Sequence, residues 1–214
     1  MFTAKEFDIF EIPGFDARME RLRAEITPKL KELGALLAPR LEEAAGLDLR
    51  PQVAMHLRRT VNPPEETWVA FGREARGYKP YVHLRAAVNG HGVKFTCYLE
   101  EDADDKPVFA TNLRANAKPL GAYLARNPQI RSHHAEANYG KMLPGLKLNA
   151  KGLLELAERL DKVKSQHANF AISLPRTDSA LKSTESLADA AVEGFILLTP
   201  LYRLGAEKRY RFKP

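Results

Sequence analysis

The sequence predicts an α+β fold, read as one compact domain of 214 residues with a largely antiparallel sheet packed against several helices. Three observations carry this. Apolar residues recur at helical spacing from Phe15 to Leu41, they alternate with polar ones in stretches between 52 and 99, and Asn89-Gly-His-Gly92 reads as a hairpin turn between two of those stretches. Nothing repeats at a fixed period and no linker separates two compositions, so 1–214 is taken as a single domain.

In chain order, Phe7-Asp-Ile-Phe-Glu-Ile12 reads as a short strand stopped by Pro13-Gly14. Phe15, Met19, Leu22, Ile26, Leu30, Leu33, Leu37 and Leu41 then mark one apolar stripe on a long helix. Pro28 and Pro39 lie within it and predict a bend, and Gly46 a stop. Gln52–Arg58 alternates, with Val53, Met55 and Leu57 on one face and His56 and Arg58 on the other. Asn62-Pro-Pro64 is a turn, Thr67–Phe71 a strand, and Gly72–Pro80 a basic loop. Tyr81–Val88 alternates again, placing Tyr81, His83 and Arg85 on a polar face, and 93–99 continues past the hairpin. After an acidic loop, Pro107 opens a helix expected to break at Pro119, and Asn127-Pro128 is a turn. The stretch 130–148 receives no assignment. Asn149 caps a helix to about Lys164, Asn169–Leu174 is a strand, and Ser183 or Thr184 starts a final helix that Pro200 should end.

Composition narrows the class. A chain 44% hydrophobic and 28% charged is globular. No apolar run approaches the roughly 20 residues of a membrane span, and the first residues carry acids where a secretory leader would be basic. The expectation is a cytoplasmic protein without a membrane partner. One cysteine, Cys97, leaves no internal disulfide, and its phase with Val93, Phe95 and Leu99 predicts a buried thiol. The net charge of +6 is local: residues 50–85 carry +4, the basic tail 203–214 carries another +4, and the rest is slightly acidic.

Candidate function concentrates between His56 and His83. Arg58, Arg59, Arg73, Arg76 and Lys79 flank turns, and guanidinium forks suit phosphate or carboxylate. The blander reading pairs them with Glu65, Glu66 and Glu74. His56 and His83 lie on polar strand faces and suit acid–base or ligand roles, or simple hydrogen bonding. Without a clear third ligand they make no metal site, and the adjacent His133-His134 are weaker still. Trp68, Tyr78, Tyr81 and Tyr98 add aromatic surface, although a strand tryptophan also serves as a core anchor. No P-loop, nucleophile elbow, zinc-protease or dinucleotide fingerprint occurs, so no cofactor and no catalytic residue is assigned.

Arg58-Arg-Thr-Val-Asn-Pro-Pro-Glu-Glu-Thr-Trp-Val-Ala-Phe-Gly72, followed by Arg76-Gly-Tyr-Lys79, resembles the signature of the YktB-like bacterial family. Phe7–Ile12 with Asp16-Ala-Arg-Met-Glu20, Arg159-Leu-Asp-Lys-Val-Lys164 and Thr199-Pro-Leu-Tyr202 agree in order. The chain departs from the pattern after Lys79, where Pro80-Tyr-Val-His-Leu84 replaces a His-Pro-His-Phe-like run. That family is uncharacterised; the resemblance implies a compact α+β domain and supplies no reaction. The first functional reading is therefore a binding module for an anionic ligand, a nucleotide, nucleic acid or other phosphate. Its surface comprises His56, Arg58, Arg59, Asn62, Arg73, Arg76, Tyr78, Lys79 and His83. The alternative is an enzyme on a small anionic substrate, with His56 or His83 as acid or base and an arginine clamp. A third is an interaction protein whose 203–214 tail meets an acidic partner.

Overall fold

Thr3 and Glu6 start the chain as helix, where a short strand is expected. The Glu6 carboxylate accepts the Thr3 N–H at 2.8 Å, closing a capping box ahead of α1 (Ala4–Asp8). A 3-10 turn, Ile9–Glu11, follows. Phe7, Ile9 and Phe10 are buried by this compact winding, so the adjacent apolar residues serve a helical and not a pleated surface. The computed structural model describes residues 1–132 and 147–213; the segment left without assignment, and His133-His134 within it, falls largely outside them.

The apolar stripe is divided between α2 (Phe15–Arg21), a π-helical turn (Leu22–Ile26) and α3 (Thr27–Ala45). Pro28 sits in the first turn of α3, which continues directly from the π turn, so its missing N–H leaves a carbonyl of that turn without a helical donor. Its ring also crowds the carbonyl four residues back, and the π turn is where that strain is absorbed. Pro39 stays inside α3, and Gly46 closes it in a left-handed conformation, φ +64°. Leu22, Ile26, Leu30, Leu33, Leu37 and Leu41 are all buried, each contributing roughly 2 kcal/mol of apolar transfer.

Among the described residues six strands follow: β1 (Arg50–Val53), β2 (Glu66–Gly72), β3 (His83–Asn89), β4 (Gly92–Leu99), β5 (Arg131–Ser132) and β6 (Ala168–Pro175). They form one antiparallel sheet in the order β1-β2-β3-β4-β6-β5, which bears out the α+β class. The register of β1 on β2 pairs Arg50 with Gly72 and Val53 with Val69. The Asn89–Gly92 hairpin forms as expected, Asn89 Oδ1 accepting the His91 N–H at 2.8 Å. Gly92 is required there: φ is +146°, and a Cβ would lie 2.1 Å from Leu174 O.

The further α-helices among the described residues are α4 (Lys106–Arg126), α5 (Ala150–Lys162) and α6 (Thr184–Ala206). Asn149 caps α5 as expected, accepting the Gly152 N–H at 3.0 Å. Two expected breaks do not occur. Pro119 lies inside α4 and Pro200 inside α6. Each removes a single helical hydrogen bond, while the apolar residues beyond it, Leu120 and Leu124, and Leu201 and Leu204, remain buried. Near the second proline the Tyr123 hydroxyl donates to Leu197 O at 2.9 Å.

The chain divides into two compact units. The first holds Met1–Arg76, Arg85–Phe95 and Ser173–Ile196; the second holds Gly77–Leu84, Thr96–Ile172 and Leu197–Pro214. In the first unit α3 lies on β1 and β2 so closely that a Cβ on Gly34 would come within 2.9 Å of Val69 Cγ2. Phe195 of α6 packs edge-on against Phe71 and Phe95 at 5.6 and 5.5 Å. In the second unit α4 packs against α5, with Gly121 facing the backbone of Ala150.

Candidate functional site

The polar surface of the first unit is built on β2. Val69 and Phe71 point at α3 and α6, so strand alternation turns Glu66 and Trp68 to the opposite face, where both keep partial exposure. Arg85, only 4% exposed, places its guanidinium carbon 4.5 Å from the Trp68 ring centroid. This is a cation–π contact with the cation largely desolvated, the condition under which it is strongest. His56 meets Trp68 edge-on at 5.3 Å, and its Nε2 lies 3.1 Å from Thr67 Oγ1.

β1 is shorter than the expected 52–58 strand. Its last ladder bond runs from the Ala54 N–H to Trp68 O at 2.9 Å. His56 then adopts φ +50°, a left-handed conformation unfavourable for a residue with a Cβ, and turns the chain out of the sheet. Met55 and Leu57, expected on an inward face, are therefore 47% and 79% exposed.

This geometry separates the cations. Arg58, Arg59 and Asn62 are exposed on the loop that leads into β2, whereas Arg73 and Arg76 follow its far end. A strand of seven residues spans roughly 20 Å, so the two sets cannot clamp one small anion. The neighbouring acids leave Arg58, Arg59 and Arg76 unneutralised among the described residues. Glu66 pairs with Lys94 at 2.8 Å, and among the described residues no ion pair joins Arg58, Arg59 or Arg76 to Glu65, Glu66 or Glu74. Arg59 reaches only the Asn62 carbonyl, at 3.5 Å.

The second unit holds the remaining expected site residues. Lys79 is exposed and Tyr78 half-buried. His83, expected on a polar surface, is fully buried. Its Nδ1–H donates to Tyr81 O at 2.7 Å, and its ring sits between Tyr78 at 4.8 Å and Tyr98 at 5.9 Å. Tyr98 in turn stacks on His167, 5.4 Å away and 13° from parallel. The Asp105 carboxylate accepts the Val82 N–H at 2.9 Å, fixing the approach to β3. Cys97 is buried, and burial pushes its thiol well above the ordinary range, so it is no nucleophile.

A family model described as a domain of unknown function, DUF1054, matches residues 2–202. The chain belongs to the DUF1054 family. It is 30% identical to a UPF0637 protein of Oceanobacillus iheyensis over 97% of this chain and 98% of that one. A UPF0637 protein of Bacillus velezensis is 30% identical over 95% of both chains, and one of Staphylococcus aureus 31% identical over 94% of this chain and 97% of its own. These bacterial relatives agree with the YktB-like resemblance carried by Arg58–Gly72.

In this DUF1054 chain, then, the first unit brings together His56 with Trp68, and β2 separates Arg58, Arg59 and Asn62 from Arg73 and Arg76. The second unit exposes Lys79 and encloses His83. Three participants escaped the sequence reading: Arg85 as the cation under Trp68, and Tyr98 and His167 as ring partners around His83. Arg85 could have been found. β2 and β3 are consecutive strands and neighbours in the sheet, and an arginine facing a tryptophan across neighbouring strands can form a cation–π pair. His167 stands outside any alternating run, and no local pattern marks it. Among the described residues no helix is long and apolar enough to cross a membrane.

Proposed function

We propose that this protein binds an extended, phosphate-bearing polyanion along β2 of its first unit. The observation that supports the reading is that exposed Arg58 and Arg59 precede β2 and exposed Arg76 follows it, none with an acidic partner among the described residues. A mononucleotide would engage one end; a single-stranded nucleic acid or another phosphate chain could reach both. Trp68 lies between, partly exposed and underlain by Arg85, where an aromatic face can meet a base. With His83 enclosed, His56 is the one of the two candidate histidines that stays accessible, and it is engaged with Thr67 and Trp68, so binding is favoured over catalysis.

Fluorescence anisotropy with a labelled twelve-residue oligo(dT), competed by inorganic polyphosphate or ATP, tests this. Oligo(dT) should bind with a steep inverse dependence on salt, and ATP should compete poorly. The Arg58→Gln/Arg59→Gln/Arg76→Gln variant should lose tenfold or more in affinity and flatten the salt slope by about two to three, at an unchanged melting midpoint. Equal affinity for ATP and oligo(dT), or unchanged binding by the variant, would refute the reading.

A further inference from the structure

The basic segment after α6 is not a loose tail. Asn112 and Asn116 stand one turn apart on α4, each 4% exposed, and grip its main chain. Asn112 Nδ2 donates to Leu204 O at 2.9 Å and Glu207 O at 2.8 Å, and its Oδ1 accepts the Tyr210 N–H at 3.1 Å. Asn116 Nδ2 donates to Tyr210 O at 2.9 Å, and its Oδ1 accepts the Phe212 N–H at 2.8 Å. The Phe212 ring meets Tyr123 at 5.2 Å. Two side-chain amides thus act on this segment as a neighbouring strand would.

This pattern sets the segment's other edge. Tyr210 and Phe212 offer their N–H groups to the same side, which is the mark of extended backbone. The N–H and C=O of Arg211 therefore point away from α4, and among the described residues nothing bonds the Arg211 N–H. Arg209, Arg211 and Lys213 are exposed, while Tyr210 and Phe212 are half-buried. The result is a short, pre-ordered edge that combines unpaired main-chain groups with cations at alternate positions.

We propose that 209–213 is a docking edge for an extended acidic peptide of a partner protein, which adds alongside it as a strand. The main chain of the incoming peptide pairs with Arg211, and its carboxylates meet Arg209, Arg211 and Lys213. A phosphate chain fits less well: it accepts hydrogen bonds but donates none, so it would leave the Arg211 carbonyl unmatched. Because Asn112 and Asn116 already hold the segment, docking loses little backbone entropy. The edge lies in the second unit and shares no residue with the β2 surface.

The probe is a labelled ten-residue peptide of alternating Glu and Thr, titrated onto the full chain. Three further probes accompany it: the Gln-for-Glu peptide, a version N-methylated at alternate residues on its pairing edge, and oligo(dT). The acidic peptide should bind, and either the Gln or the N-methyl change should weaken it tenfold or more. Arg209→Gln/Arg211→Gln/Lys213→Gln should abolish peptide binding but spare oligo(dT). Asn116→Ala, which leaves the net charge untouched, should weaken the peptide several-fold, with circular dichroism confirming the fold. If the N-methylated peptide binds as well as its parent, or the triple variant still binds the peptide, the docking edge is refuted. Loss of oligo(dT) binding in the triple variant would likewise overturn it, by assigning the segment to the polyanion.

Discussion

His56 and His83 have the same sequence setting, a polar position on an alternating stretch beside arginines, and the two units treat them differently. In the first unit His56 ends its strand at φ +50° and remains partly exposed, with the exposed arginines of the next loop beside it in sequence. In the second unit His83 is wholly buried between tyrosines with a backbone acceptor. Lys106, Asn112 and Asn116 of that unit are likewise turned inward onto main-chain carbonyls. A polar residue on a strand or helix becomes surface only where nothing folds over it. Where loops or a terminal segment cover it, it must be satisfied internally and becomes part of the scaffold.

The sharpest way to break this contrast is to remove a charge from each unit. Lys106 is 9% exposed, and its ammonium donates to Glu101 O, Val163 O and Lys164 O at 2.9, 3.0 and 2.9 Å. Two of those carbonyls lie just beyond α5, so Lys106 satisfies acceptors at the negative end of a helix. Lys106→Met should cost roughly 2 to 3 kcal/mol by leaving three part-buried acceptors unmatched. Arg58→Gln should stay within about 0.5 kcal/mol. Urea midpoints measure both, and equal costs would show that the two units do not differ in this way.

A smaller effect separates the histidines themselves. His83→Ala opens a cavity between Tyr78 and Tyr98 and frees the Tyr81 carbonyl, so a loss of roughly 2 kcal/mol is expected. His56→Gly gives up the Thr67 bond and the Trp68 contact but relieves the left-handed backbone, leaving a net change within about 0.5 kcal/mol. Thermal melts of the two variants, compared at matched pH, would expose any reversal of that order.

Much of this fold was legible because the signals were local. The stripe from Met19 to Leu41, the Asn89–Gly92 turn and the Asn149 cap each depend on residues a few positions apart. The errors arose where distant packing overrode a local rule. Pro119 and Pro200 remain helical because apolar residues beyond them are buried. Phe7–Ile12 was read by its apolar residues, although Thr3-x-x-Glu6 signalled a helix start just upstream. For the candidate site, the residue types were legible and their convergence was not. Whether Arg58 and Arg76 share a ligand depends on the length of β2 between them, and whether His83 is accessible depends on tyrosines that close over it.

The mildest test returns to the first unit and asks whether its charges differ among themselves. Glu6 is paired where Arg58, among the described residues, is not: it accepts from Lys29 and from Thr3, whose Oγ1 lies 2.6 Å away. Burial alone would raise the Glu6 carboxyl, but the Lys29 and Thr3 hydrogen bonds outweigh it and bring it down to about 2 from the ordinary 4.5. A depressed carboxylate stabilises the fold fully above its unfolded value and loses that contribution as pH falls. The window here runs from about 4.5 down to about 2. Glu6→Gln should therefore cost roughly 1 kcal/mol at pH 7, typical of a partly exposed ion pair. The gap from the parent should narrow as pH falls toward 2.5. The Arg58→Gln gap should stay near zero throughout, because no folded-state partner is lost. A Glu6→Gln gap that is constant from pH 7 to 2.5 would mean the carboxylate contributes packing alone, and the distinction between paired and unpaired charges within this unit would fail.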